Sequence, residues 1–171
     1  MNIHGKAFTV REWQPGDAES IARHANNRNV SINLRDRFPY PYSLADAEAF
    51  LSRALERDSM TTFAIEVDGE AAGGIAFMLG TDIERFSAEV GYWLSESHWG
   101  KGILSELLPL ACEQAFQLYS LNRIFALPYE KNVASCRVLE KAGFTLEGTL
   151  RKSAVKEGEV LDQRMYALVV S

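Results

Sequence analysis

Cysteine is scarce in this 171-residue chain, with Cys112 and Cys136 its only two. They form no Cys-x-x-Cys pair and have no histidine close by in the chain, which excludes the usual zinc spacings and a disulfide framework. No metal is expected, and both thiols read as small apolar residues of helices. Long apolar runs are also lacking. A membrane-crossing helix needs about 18 consecutive apolar residues, and stretches such as Gly74 to Leu79 fall far short. The start of the chain has His4, Lys6, Arg11 and Glu12 where an export signal would carry an apolar core and a cleavage site. No membrane association is expected, and the cytoplasm is the expected location. Dense blocks of one charge are missing too: 18 Lys and Arg stand against 23 Asp and Glu, a formal charge of −5. Nucleic acid is therefore a poor partner, and a basic substrate a better one.

What is present, 47% apolar and 24% charged residues, suits one globular domain over residues 1–171. An apolar alternation ending at Val10 to Trp13 predicts a strand. Pro15, Gly16 and Asp17 then break the chain, and Ile21, Ala22 and Ala25 recur at helical spacing. From Asn29 to Tyr42, Pro39 and Pro41 favour an extended loop, whose aromatic residues Phe38, Tyr40 and Tyr42 suit the border of a cleft. Ser43 followed by Asp46 forms a capping box for a helix running to about Arg57. Thr61–Val67 and Ala71–Leu79 read as strands joined by an Asp68-Gly69 hairpin turn, and Ala88–Leu94 as another strand. A long helix carries Leu104, Leu107, Leu108, Ala111, Ala115 and Leu118, with a bend expected at Pro109. Arg123–Leu127 is a strand, Asn132 caps a helix ending at Ala142-Gly143, and a hairpin turns at Lys156-Glu157-Gly158.

The chemistry concentrates in Trp99-Gly100-Lys101-Gly102, between a strand and a helix. Glycines there let a backbone approach a ligand, while the first free N–H groups of the helix favour phosphate oxygens. The spacing is neither a P-loop nor a dinucleotide fingerprint, since Gly102 stands where the first needs Ser or Thr and Ser105 where the second needs its third glycine.

Trp99-Gly100-Lys101-Gly102, Asn132-Val133-Ala134-Ser135 and Glu140-Lys141-Ala142-Gly143-Phe144, in this order of elements, resemble the GNAT N-acetyltransferases. The likeness is to the branch with the Rim-type ribosomal-protein N-terminal acetyltransferases and the spermidine acetyltransferases, and it covers essentially the whole chain. The resemblance implies a mixed α/β fold: a twisted, largely antiparallel seven-stranded sheet with helices on both faces, whose fourth and fifth strands splay after Leu94. The pantetheine arm of acetyl-CoA would enter that opening, pairing with the backbone of Trp93, Leu94 and Ser95. Its pyrophosphate would meet Trp99, Gly100, Lys101, Gly102, Ile103 and Leu104. Two positions depart from the family pattern, Trp99 in place of Arg or Gln and Leu104 in place of Gly or Ala.

By the same resemblance Asn132 bonds the cofactor arm and Ser135 faces its sulfur, as a proton donor or as the holder of a water. Leu139 occupies the position of the tyrosine that protonates the thiolate in many relatives. Transfer from a thioester needs a deprotonated amine and a fixed N–H for the oxyanion. Glu89, on the strand face of Gly91 and Trp93, is the candidate base or else a solvated carboxylate, and the N–H of Leu94 is the implied oxyanion donor. Phe38, Tyr40 and Tyr42 are candidates for the acceptor wall. The expected function is acetyl transfer to a primary amine, preferably a protein N-terminal α-amine, with a polyamine or aminoglycoside as the alternative acceptor and an acyl-CoA sensor as the alternative class. A monomer or homodimer is compatible with all of these.

Overall fold

The computed structural model describes residues 1–56 and 61–170. The chain forms two compact units, Met1–Ala76 with Tyr92–Ile103, and Phe77–Gly91 with Leu104 to the C-terminus. Eight strands and five α-helices are present among the described residues, in a mixed α/β arrangement.

In the first unit, β1 (Ile3–His4), β2 (Thr9–Arg11), β3 (Thr62–Val67) and the start of β4 (Glu70–Leu79) pair antiparallel in that order. The two-residue β1 raises the strand number from the expected seven to eight. It is too short to show an alternation of its own, and pairs only Ile3 with Val10 and His4 with Thr9. Asp68 and Gly69 have φ of 53° and 81°, the conformation of the tight turn expected there.

Helix α1 (Ala18–Ala25) presents Ile21 and Ala25 to a core of Trp13, Tyr42, Ala47, Leu51, Ala64 and Ala71. Trp13 meets Phe50 edge to face at 5.1 Å, and its indole N–H donates to Thr62 Oγ1 at 3.2 Å. Arg11 is clamped between Asp17 and Glu66, its guanidinium donating to Asp17 at 2.9 Å through both terminal nitrogens. A four-residue helix α2 (Arg28–Ser31) lies partly where only loop was expected, because Asn27 accepts the Asn29 N–H at 2.8 Å and starts a turn. Helix α3 (Leu44–Ala54) opens on the predicted box, with the Asp46 N–H donating to Ser43 Oγ and the Ser43 N–H to Asp46 Oδ2. Its expected end near Arg57 lies outside the described residues.

The second unit holds the end of β4, the start of β5 (Ser87–Leu94), β6 (Arg123–Ala126), β7 (Thr145–Lys156) and β8 (Glu159–Val169). β5 and β6 are parallel over three residue pairs, ending at Glu89 opposite Phe125, while β5 continues to Leu94. β6 pairs antiparallel with β8, and β8 with β7. Helix α4 (Ile103–Leu118) runs through Pro109 without interruption. Helix α5 (Val133–Lys141) stops at Gly143 with φ 88°, where the Phe144 N–H reaches Leu139 O at 3.0 Å and the Gly143 N–H reaches Glu140 O at 3.1 Å. That pair of bonds is the glycine stop expected from Gly143-Phe144. Glu157 and Gly158, with φ of 50° and 79°, make the closing hairpin turn.

Candidate active site

In the first unit, β5 ends in a run of backbone groups with fixed directions. The Ser95 N–H donates to Ala72 O on β4 at 2.8 Å. In a planar trans peptide the preceding carbonyl points the opposite way, so the Leu94 carbonyl faces off β4, where it accepts the Trp99 indole N–H at 2.8 Å. The Trp93 carbonyl turns toward β4, lying 2.5 Å from where a side chain on Gly73 would begin. By the same peptide geometry the Leu94 N–H points off β4. Of Trp93, Leu94 and Ser95, whose backbones were all expected to meet the cofactor arm, only Leu94 therefore turns both polar groups outward. The Trp93 ring instead covers Gly74 and packs on Phe38 at 5.4 Å.

After β5, a 3₁₀ turn (Glu96–His98) leads into Trp99, Gly100, Lys101 and Gly102. Gly100 and Gly102 have φ of 73° and 79°, with no atom within 4 Å of where a Cβ would stand. Glycine is required there by conformation and not by crowding, and the space beside the turn is open. Ile103 is buried. Glu96 accepts from the side-chain amides of Asn27 and Asn29 at 2.6 and 2.9 Å, which hold its carboxyl below the usual range. Burial, then the Lys101 ammonium at 3.5 Å, push the His98 imidazole below its ordinary value. Beside them Ser95 Oγ lies 3.0 Å from His24 Nδ1 and 3.1 Å from Ser97 Oγ, and His24 Nε2 lies 2.8 Å from Glu70 Oε2.

Phe38 stacks on Tyr42 at 4.9 Å. Tyr42 is only 7% exposed, inside the core, and burial raises its hydroxyl to about 12. It packs with Trp13, Ile21, Ala47 and Leu51 in that core. Tyr40 is 49% exposed.

In the second unit, Glu89 is half-buried on β5 opposite Phe125, and Leu104 is half-buried in α4. Asn132 Oδ1 accepts the Ser135 N–H at 3.2 Å, a helix cap that leaves the amide NH₂ on the far side of the group. Ser135 is half-buried in the first turn of α5. Leu139 is fully buried, so at this position α5 offers a packing group and no hydroxyl. The Tyr166 hydroxyl donates to Glu140 Oε1 at 2.8 Å and is raised by burial to about 12. Among the described residues no group of three or more His, Cys, Asp and Glu could hold a metal ion.

The comparisons define the class: an acyltransferase. The chain belongs to the acetyltransferase (GNAT) domain family, whose model matches residues 8–145. It is 31% identical to a probable N-acetyltransferase, YjcK, of Bacillus subtilis, over 98% of this chain and 96% of that one. A putative ribosomal N-acetyltransferase of Bacillus subtilis, YdaF, is 31% identical over 95% and 91%. A spermidine N(1)-acetyltransferase of Escherichia coli is 26% identical over 74% and 68%. The solved structure of a ribosomal L7/L12 α-N-protein acetyltransferase in complex with coenzyme A superposes with a TM-score of 0.86, 22% identity and coverage of 99% and 98%. The protein is an acetyl-CoA-dependent N-acetyltransferase.

Proposed function

We propose that the acceptor is the α-amine of a protein N-terminus, acetylated by direct attack on the thioester in a ternary complex. The observation that carries this reading is local charge. From Arg28 to Arg37, in α2 and the loop that leads to the candidate acceptor residues Phe38, Tyr40 and Tyr42, there are three arginines and one aspartate in a chain of net charge −5. Such a wall repels a polycation such as spermidine, whereas a peptide presents a single amine and carbonyl groups for the arginines to bond. The 31% likeness to the putative ribosomal enzyme over nearly the full chain supports the same choice.

On this reading Gly100, Lys101, Gly102 and Ile103 hold the pyrophosphate with backbone N–H groups, and Lys101 adds a positive charge. The outward N–H of Leu94 bonds the carbonyl oxygen of the thioester and strengthens that bond as charge develops on it. The amide NH₂ of Asn132 reaches the pantetheine arm while its oxygen caps α5. Ser135 holds a water near the sulfur. Glu89, on β5, is the base that strand alternation offers for the amine.

The test is mass-spectrometric detection of acetyl transfer to a pooled panel of N-terminal peptides, polyamines and aminoglycosides. Labelled peptide α-amines are expected. Labelling confined to spermidine or to an aminoglycoside would replace this acceptor with the small-amine one.

A further inference from the structure

Three side chains that this reading leaves unused meet at the end of β5, all within the first unit. Ser95 follows Leu94 directly and is 6% exposed. Its Oγ lies 3.0 Å from His24 Nδ1, and Nε2 of that ring lies 2.8 Å from Glu70 Oε2. An ionised carboxylate only accepts hydrogen bonds. Glu70 is held ionised by Arg23 at 2.7 Å and by His24, which keep its carboxyl below the usual range. In the neutral ring Nε2 therefore carries the proton, Nδ1 is the acceptor, and the Ser95 hydroxyl donates to it. A hydroxyl that donates to an imidazole held from behind by a carboxylate is set to pass its proton on.

We propose that Ser95, His24 and Glu70 form the route by which the acceptor amine loses its proton. This rests on the reading that places the thioester carbonyl at Leu94, and it puts the proton path at Ser95, the next residue, instead of at Glu89, five residues earlier. As the amine nitrogen bonds to the carbonyl carbon it becomes positively charged. Ser95 Oγ takes a proton from that nitrogen while its own proton moves to His24 Nδ1. The tetrahedral intermediate then collapses, the C–S bond breaks with its electron pair going to sulfur, and the amide and the CoA thiolate separate. The imidazolium is paired with Glu70, whose side chain is 47% exposed, and releases its proton to solvent there.

Asn27 and Asn29 on Glu96 separately tie the start of α2 to the turn after β5. The charged and titratable groups facing His24 are Glu70 and Arg23, His98 with its ring 6.1 Å away, Lys101 and Asp68 beyond His98, and Glu96 on the following turn.

The experiment measures kcat and KM across the neutral pH range with a free α-amine peptide and, separately, spermidine as acceptors. Wild type is compared with Ser95→Ala, Ser95→Thr, His24→Gln, Glu70→Gln and Glu89→Gln, with acetyl-CoA affinity by calorimetry and the His24 tautomer from ¹⁵N spectra. Ser95→Ala is expected to lower kcat by about 10²- to 10⁴-fold, the range for a positioned proton-transfer group, with acetyl-CoA affinity unchanged and Ser95→Thr restoring much of the rate. His24→Gln should abolish the acid limb of the kcat profile. Glu70→Gln should lower kcat as well, because the ring loses the carboxylate that fixes its tautomer. Wild-type His24 should carry its proton on Nε2. Wild-type kcat and pH profile in Ser95→Ala overturn the route, as do an Nδ1-protonated His24, an acetylated Ser95, or an acid limb lost in Glu89→Gln and kept in His24→Gln. A wild type that fails to bind acetyl-CoA overturns the placement at Leu94 together with the route, whereas failure of the route alone leaves the wild type active.

Discussion

Gly73 offers a direct test of how β5 is held. Its φ is not positive, so alanine carries no backbone penalty there, and the cost of Gly73→Ala comes from space alone. The new Cβ would lie 2.5 Å from the Trp93 carbonyl oxygen, 3.1 Å from Leu94 Cδ1 and 3.2 Å from Leu94 Cα. The oxygen and the Cα are backbone atoms of a strand and cannot rotate away, so β4 or β5 must shift by most of an ångström to restore ordinary contact. Overpacking of this kind costs about 1–3 kcal/mol. For a chain of this size that lowers Tm by about 2–12 °C, taking roughly 2–4 °C per kcal/mol. Because the displaced atoms belong to Trp93 and Leu94, acetyl-CoA affinity should fall in the same variant. Gly16→Ala is the control, since nothing lies within 4 Å of its added methyl and its φ is ordinary; its Tm should stay level or rise slightly. Thermal melts and titration calorimetry on the three proteins decide the matter. A Gly73→Ala protein with the melting temperature and acetyl-CoA affinity of wild type would refute the argument.

Asn132 separates two roles by substitution. Asn132→Ala should lose a helix cap worth about 1 kcal/mol, read as a lower Tm, together with acetyl-CoA affinity. Asn132→Asp keeps the capping oxygen but no NH₂, so it should recover Tm without recovering affinity; recovery of both would reduce Asn132 to a cap. At Gly102, alanine strains a positive φ at a cost of about 1 kcal/mol or more. Gly102→Val should in addition place a branched side chain in the open space beside the turn and weaken acetyl-CoA binding well beyond its effect on Tm, and an unchanged dissociation constant would move the pyrophosphate elsewhere.

Local rules carried much of the fold. Ser43 with Asp46, Asp68-Gly69, Asn132 and Gly143-Phe144 each specify a cap or turn through contacts within five residues, and each stands where its residues imply. The glycine turn and α5 were legible for the same reason. Depth and long-range pairing were not. Tyr42 sits between residues that say nothing of which way the segment folds, and it turns into the core. Ser95, His24 and Glu70 lie 71 and 46 residues apart in the two hydrogen bonds that join them, so no spacing rule connects them before β4, β5 and α1 are assembled. The direction of the Leu94 peptide likewise needed a partner, Ala72, to define it.

The indole of Trp99 has a consequence for the protein without its substrate. An unpaired carbonyl at a strand end invites the backbone of any passing chain, and natural sheets blunt such edges with whatever side chain is at hand. By donating to Leu94 O, Trp99 acts as a stand-in for the amide of an incoming ligand. The edge that must stay open for a thioester is thereby closed to its less welcome mimic, a neighbouring polypeptide.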